Sequence, residues 1–174
     1  MRKFTTRELT LAAFVAALYA VMSYFGNIFG LNFGAVQCRF AEALCVLPFL
    51  FPCTAPGLFV GCLITNLMST VGPLDIIFGS LATLLAALST AKMPNRCLAP
   101  LPPVIFNGVI VGAMITWYEV GFGPGFWPVF AFNGLSVAMG EVMACYVLGS
   151  LLLSALPRIS VLREMIPAQR LRVI

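Results

Sequence analysis

The chain has 174 residues, of which 61% are hydrophobic and 9% are charged, and its mean hydropathy is +1.02. Soluble domains carry about 25% charged residues, so this composition excludes an ordinary soluble domain. A helix that crosses a bilayer needs about 20 apolar residues, which leaves room for about six or seven crossings joined by short loops. We therefore predict one all-α integral membrane domain over residues 1–174.

The net charge of +4 does not indicate a partner such as nucleic acid, because the basic residues lie near the two termini and in one short loop. Lys and Arg in short loops are typical of the cytoplasmic side of a membrane protein. With six helices, this rule puts both termini and nine of the ten basic residues in the cytoplasm. Only Arg39 is then expected on the outer side.

Apolar runs separated by Gly and Pro predict a bundle of six transmembrane helices. Their predicted ranges are 6–24, 39–51, 58–70, 74–91, 104–118 and 127–156. Pro56 and Gly57 indicate a turn before the third helix, and Pro102 and Pro103 are expected to precede the fifth. The second and third helices are short for a full crossing, which predicts a funnel-shaped depression or a locally thin bilayer.

The first predicted helix carries five alanines with i, i+4 spacing, which lets another helix approach closely. They are Ala12, Ala13, Ala16, Ala17 and Ala20. The neighbouring helix could belong to this chain or to a partner, and the sequence leaves both possibilities open. The segment 25–37, rich in Gly and Asn, follows as a predicted loop that is either a lid over a binding site or a simple connector.

Arg39 and Glu42 stand one helical turn apart at the start of an apolar run. Charges at the edge of hydrocarbon are costly and usually face a partner or a water-filled cavity. The two side chains either line a polar pocket or pair with each other. Glu141, near the centre of the longest apolar run, is expected to be functional, with an internally paired or protonated carboxyl as the alternative.

Further polar and aromatic residues lie toward the predicted outer ends of the helices. Asp75 opens the fourth helix, where it caps the helix, lines the site, or does both. Trp117 and Trp127 are either interface anchors or stacking surfaces for a flat ligand. The complete set of candidate binding residues is Asn32, Gln37, Arg39, Glu42, Asp75, Trp117, Glu119, Trp127, Asn133 and Glu141. We expect them to converge on an outward-facing cavity that is roofed by the segment 25–37.

The sequence offers little for catalysis. It has no histidine, the commonest metal ligand and general base, and its six cysteines include no CxxC pair. Neither lysine follows a glycine as a Walker A motif requires. We therefore expect no metal, no cofactor and no enzyme activity. A small integral-membrane enzyme that uses Glu42, Glu141 or a cysteine remains an alternative, as does a stand-alone carrier.

Three segments resemble the queuosine-precursor transporter (QueT) family. They are FGAVQCRFAEAL at 33–44, PGLFVGCLITN at 56–66 and LDIIFGSLATLLAA at 74–87. The family members are substrate-binding subunits of energy-coupling-factor (ECF) transporters. The resemblance implies a six-helix subunit in the cell membrane that captures a 7-deazaguanine derivative, such as preQ1, preQ0, queuine or queuosine, from outside.

The resemblance also implies partners. A transmembrane coupling subunit and two ATPase subunits would drive uptake, so that ATP is used by the partners and not by this chain. The alanines of the first helix would form the family's Ala-x-x-x-Ala docking surface. Its register is either Ala12, Ala16 and Ala20 or the shifted pair Ala13 and Ala17.

Overall fold

A computed structural model describes residues 4–28, 39–67 and 72–172, without the side chain of Asn27. Every regular element within these ranges is helical, which confirms the predicted all-α class. The candidates Asn32 and Gln37 lie outside the described residues, as does most of the predicted loop 25–37.

The main elements follow the predicted order. They are α1 (Thr6–Ile28), a central 3₁₀ helix (Phe40–Phe49), α2 (Ala55–Leu67), α3 (Pro73–Thr90), α4 (Leu101–Val120) and α5 (Phe126–Arg158). Two short helices, α6 (Ser160–Arg163) and α7 (Ala168–Leu171), follow them and were not predicted. Helix α4 contains a π-helical stretch at Asn107–Val111, and α5 contains another at Val142–Gly149.

Four of these helices, α1, α3, α4 and α5, are long and apolar enough to cross a membrane. The central 3₁₀ helix and the segment Pro52–Leu67 are apolar but shorter. With several apolar helices, the protein is a multi-pass membrane protein, as its composition predicts. The shortness of the second and third helices was also expected.

The predicted boundaries need correction where proline and glycine were read as helix breakers. Pro56 and Gly57 lie within the first turn of α2, and Pro102 and Pro103 lie within the first turn of α4. The first amides of a helix have no intrahelical partner, so proline costs little there and its fixed φ suits the helix. Likewise, Gly26 does not end α1, which continues to Ile28.

The central 3₁₀ helix forms the core of the molecule. All of its residues after Phe40 are buried, and it contacts α1, α2, α3, α4 and α5. Ten residues are long for a 3₁₀ helix, and Pro48 within it lacks an amide hydrogen. Irregular backbone is tolerated at membrane depth where protein surrounds it, and this arrangement meets that condition.

Helices α1 and α2 make an unusually close contact. Ala12 packs against Gly57, and Ala16 packs against Gly61, so that small residues face each other at matching four-residue intervals. A Cβ atom added to Gly61 would lie 2.6 Å from the backbone oxygen of Ala16, which real side chains do not reach. Small residues let helix backbones approach in this way inside a membrane. This stripe is therefore used within the chain.

One end of the bundle, which we call the basic end, is covered by the C-terminal segment. The Arg170 guanidinium donates hydrogen bonds to the backbone oxygens of Ala91 and Met93 and lies 4.7 Å from the centroid of the Phe49 ring. Ile166 is buried in the same region. The C-terminal segment thus joins the end of α3 to the end of the central 3₁₀ helix.

At the opposite end, α1 extends beyond α2. Helix α2 runs parallel to α1 and its residue Gly61 lies beside Ala16, so Asn66 lies near the level of Val21. Helix α1 continues seven more residues to Ile28, which is about 10 Å at 1.5 Å per residue. The last described residues of α2 therefore lie below the end of α1. The funnel-shaped depression or locally thin bilayer stays a prediction.

Candidate functional site

A group of polar side chains is buried where the central 3₁₀ helix begins. Hydrogen bonds connect its members in small sets, and the elements that supply them are α1, the 3₁₀ helix and α2 to α5. We call it the buried polar cluster, and it consists of the half-buried Arg39 and the buried Tyr19, Glu42, Asn66, Asp75, Asn107 and Glu141.

Glu42 lies in the first turn of the 3₁₀ helix and its side chain is fully buried. The hydroxyl of Tyr19 on α1 donates a hydrogen bond to its Oε1 atom. The thiol of Cys45, one 3₁₀ turn further on, donates to its Oε2 atom over 2.9 Å. Both carboxyl oxygens are therefore held by close donors.

Glu141 is 3% exposed and is the last residue before the π-helical stretch of α5. The amide of Asn107, at the start of the π-helical stretch of α4, donates to its Oε1 atom over 2.7 Å. The Cys145 thiol lies 3.5 Å from its Oε2 atom. π-Helical segments inside α-helices are frequent at functional sites, and here two of them lie beside one carboxyl group.

The two glutamates approach the same thiol. The sulfur of Cys145 lies 3.2 Å from the backbone oxygen of Glu42 as well as 3.5 Å from the carboxyl of Glu141. The two glutamates, which were expected from the sequence to face an apolar interior, are thus buried on facing helices that meet at Cys145.

Arg39 joins α2 and α3 to this arrangement. Its Nη2 atom donates to Oδ1 of Asn66 over 3.2 Å, and Nδ2 of Asn66 donates to the backbone oxygen of Asp75 over 2.9 Å. Asn66 also lies 3.3 Å from the hydroxyl of Ser80. This hydrogen bond of Arg39 therefore goes to an amide. The Asp75 side chain is buried, and its helix has no side-chain cap.

The remaining polar candidates form a separate group nearer the opposite end. Asn133 donates to Oε2 of Glu119 over 2.8 Å and to the hydroxyl of Thr116 over 3.2 Å. Asn133 is buried, whereas Glu119 is exposed. Eight residues of α5 separate Asn133 from Glu141, or about 12 Å along the helix. The polar candidates were predicted to line one cavity, but in the structure they form two groups.

Trp117 and Trp127 do not join the buried polar cluster. They are 41% and 72% exposed, and Trp127 packs edge-on against Phe126 and Phe130. This placement fits tryptophans that anchor a protein at the membrane interface.

A groove of about 520 Å³ opens between α3 and α4. Its lining is apolar and consists of Leu74, Phe78, Leu81, Val109, Ile110, Ala113, Met114, Trp117 and Phe122. Several of these side chains are exposed on the surface that faces hydrocarbon in a membrane. A groove without polar walls cannot orient a polar solute, so we assign the candidate site to the buried polar cluster and not to the groove.

Three members of the cluster were missed as candidates from the sequence. Tyr19 lies in an alanine-rich helix, and Asn66 and Asn107 are single amides within apolar helices. The sequence did contain a signal for the two amides. A polar side chain within an apolar membrane helix usually faces other polar groups. The sequence does not show which partners they meet.

Comparisons with known proteins give a consistent result. A family model described as "QueT transporter" matches residues 9–158. The protein named "Queuosine precursor transporter QueT" from Lactococcus lactis subsp. cremoris (strain MG1363) is 31% identical over 84 residues. That match covers 48% of this chain and 49% of the relative, so it spans about half the length of the curated relative. No solved structure matches the chain.

Proposed function

The chain belongs to the QueT transporter family, as the resemblance of its middle segments predicted, and we propose that it is the substrate-binding subunit of an ECF-type importer for a queuosine precursor. The family is one of transporters and not of enzymes, which agrees with the expectation from the sequence. Such a subunit is a multi-pass protein of the cell membrane. It would use no cofactor of its own, since its partners would hydrolyse the ATP.

The buried polar cluster is the observation that supports this proposal. A 7-deazaguanine ring presents an N1–H and an exocyclic amine side by side, and a carboxylate accepts both hydrogen bonds well. Its carbonyl oxygen needs a donor. Glu42 or Glu141 would be the acceptor, and Arg39 or Asn66 would be the donor. Polar groups this costly to bury in a membrane protein are usually functional.

The distribution of charge supports an approach of the substrate from outside the cell. Arg39 lies toward the opposite end, and the other basic residues that the structure describes lie at the basic end or in the segments around it. They are Arg7, Lys92, Arg96, Arg158, Arg163, Arg170 and Arg172. By the positive-inside rule the basic end is cytoplasmic. We infer a six-helix topology with both termini inside, in which the central 3₁₀ helix and α2 are the two short crossings.

The exposed face of α1 supports docking to a coupling subunit. Ala12 and Ala16 are buried against α2, whereas Ala13 and Ala17 are exposed and Ala20 is half-buried. Of the two registers that the sequence left open, Ala13 and Ala17 are the pair available to a partner. The coupling subunit would bind there, and its two ATPase subunits would supply the energy. Uptake by this protein alone in liposomes would instead favour a stand-alone carrier.

Glutamine substitutions at the two buried carboxyl groups test the site. We expect Glu42→Gln and Glu141→Gln each to weaken binding of preQ1 to the purified protein at least about tenfold, or about 1.4 kcal/mol, because each replaces a carboxylate acceptor by a weaker one. Isothermal titration calorimetry in detergent measures the change. Glu164→Gln, at an exposed position near the C-terminus, is the matched control and should bind normally. Unchanged affinity in both folded variants would contradict the site assignment.

A further inference from the structure

Buried carboxyl groups outnumber cations in the cluster. Glu42, Asp75 and Glu141 are 0%, 2% and 3% exposed. Among the residues that the structure describes, Arg39 is the one basic side chain in the cluster, and its hydrogen bond is to an amide. Three acidic side chains therefore share a single guanidinium.

In the part of the chain that the structure describes, the side-chain donors that hold the two glutamates are all neutral. Glu42 is held by a phenol and a thiol, from Tyr19 and Cys45. Glu141 is held by an amide and a thiol, from Asn107 and Cys145. Neutral donors orient a carboxylate, but they offset only part of the cost of placing its charge in an apolar interior. A cation that enters the cluster would offset this cost.

We propose that this site selects precursors that carry an ammonium group over neutral precursors of the same shape. This inference depends on the proposed function, which supplies the flat guanine-like ring. Queuosine precursors fall into both classes, because preQ1 carries an aminomethyl group that is protonated at neutral pH, whereas preQ0 carries an uncharged nitrile. The excess of acidic side chains favours the first class.

Glu141 is the carboxyl group best placed to receive the ammonium. Both oxygens of Glu42 have close donors, one of them at 2.9 Å. Within the described ranges, Oε2 of Glu141 has only the Cys145 thiol, at 3.5 Å. An ammonium donates strongly to a carboxylate oxygen at about 2.7–2.9 Å, so the weakly held oxygen gains most from it. Glu42 is then left to accept the hydrogen bonds of the ring edge.

Competition between the two ligands on the purified full-length protein tests the proposal. We expect preQ1 to bind at least about 30-fold more tightly than preQ0, since a charge-assisted hydrogen bond in a buried site is worth a few kcal/mol. Glu141→Gln should reduce this ratio to near one by weakening preQ1 alone. Glu42→Gln should weaken both ligands, and the exposed control Glu164→Gln should change neither affinity.

The outcomes separate this inference from the function on which it depends. Equal affinities of the wild-type protein for preQ1 and preQ0 would overturn the charge preference and leave the proposed function intact. Failure of both ligands to bind would overturn the proposed function, and the inference with it. A ratio that stays high in a folded Glu141→Gln variant would overturn the assignment of the ammonium to Glu141. The wild-type ratio decides the charge preference even if a variant does not fold.

Discussion

At the scale of single residues, Tyr19 connects the proposed binding site to α1. Its ring is 1% exposed and its hydroxyl donates to Glu42, while Ala13 and Ala17 lie on the exposed face of the same helix. Tyr19 is therefore a positioning residue, because it acts on the substrate through the carboxyl group that it orients. A helix with these two faces would link the docking of a partner to the geometry of the site.

Removing only the hydroxyl tests this role. We expect Tyr19→Phe to keep the packing of the ring and to weaken preQ1 binding about tenfold, because a hydrogen bond to a charged group contributes about 1.5–3 kcal/mol. Tyr24→Phe, on the exposed face of α1, is the matched control. Equal preQ1 affinity in the two variants would show that Tyr19 has only a packing role. Circular dichroism should confirm that both variants are helical.

The charged residues of the cluster could be predicted from the sequence more readily than the uncharged ones. Arg39, Glu42 and Glu141 were identified because charges in or beside apolar runs are costly, and Asp75 because it opens a helix. All four lie in the cluster. An uncharged amide such as Asn107 costs less to bury and gives a weaker signal. The role of the two tryptophans could not be predicted from the sequence, since an aromatic ring suits both a ligand site and the membrane interface.

At the scale of helices, the alanines of α1 divide into a buried pair, Ala12 and Ala16, and an exposed pair, Ala13 and Ala17. Their spacing alone gives either register, because both follow i, i+4 periodicity. Gly57 and Gly61 decide which alanine pair packs within the chain. They are distant in sequence from Ala12 and Ala16 and meet them only in the folded protein. The sequence thus predicts the close-packed stripe but not which helix occupies it.

Tryptophan substitutions in the two registers should have different effects. We expect Ala13→Trp to leave folding and preQ1 binding unchanged and to abolish uptake by the reconstituted transporter, because only the partner surface is blocked. Ala16→Trp should prevent folding, since there is no space between α1 and α2 for a large side chain. Size-exclusion profiles, binding and uptake measure these effects. Normal uptake by Ala13→Trp would show that this face is not the docking surface.

At the scale of the whole molecule, the order of helices followed from hydrophobic runs and their Gly and Pro breaks. The depth of the site could not be predicted from these runs, because it depends on how far each helix extends relative to its neighbours. The 3₁₀ form of Phe40–Phe49 could not be predicted either, because an apolar run of ten residues fits an α-helix equally well. In the fold, the first turn of this helix lies beside Tyr19 of α1, α2 ends below α1, and Glu42 and Asn66 are buried there.

Identification of the native ligand tests the central claim most directly. The protein should be purified from the membranes of its own cells in mild detergent, and the bound small molecules should be extracted and analysed by mass spectrometry. The Glu42→Gln/Glu141→Gln double variant, purified in parallel, controls for solutes carried over with detergent and lipid. We predict a 7-deazaguanine that bears an amine, present with the wild-type protein and depleted in the double variant. A solute of another chemical class that copurifies in stoichiometric amount would contradict the account.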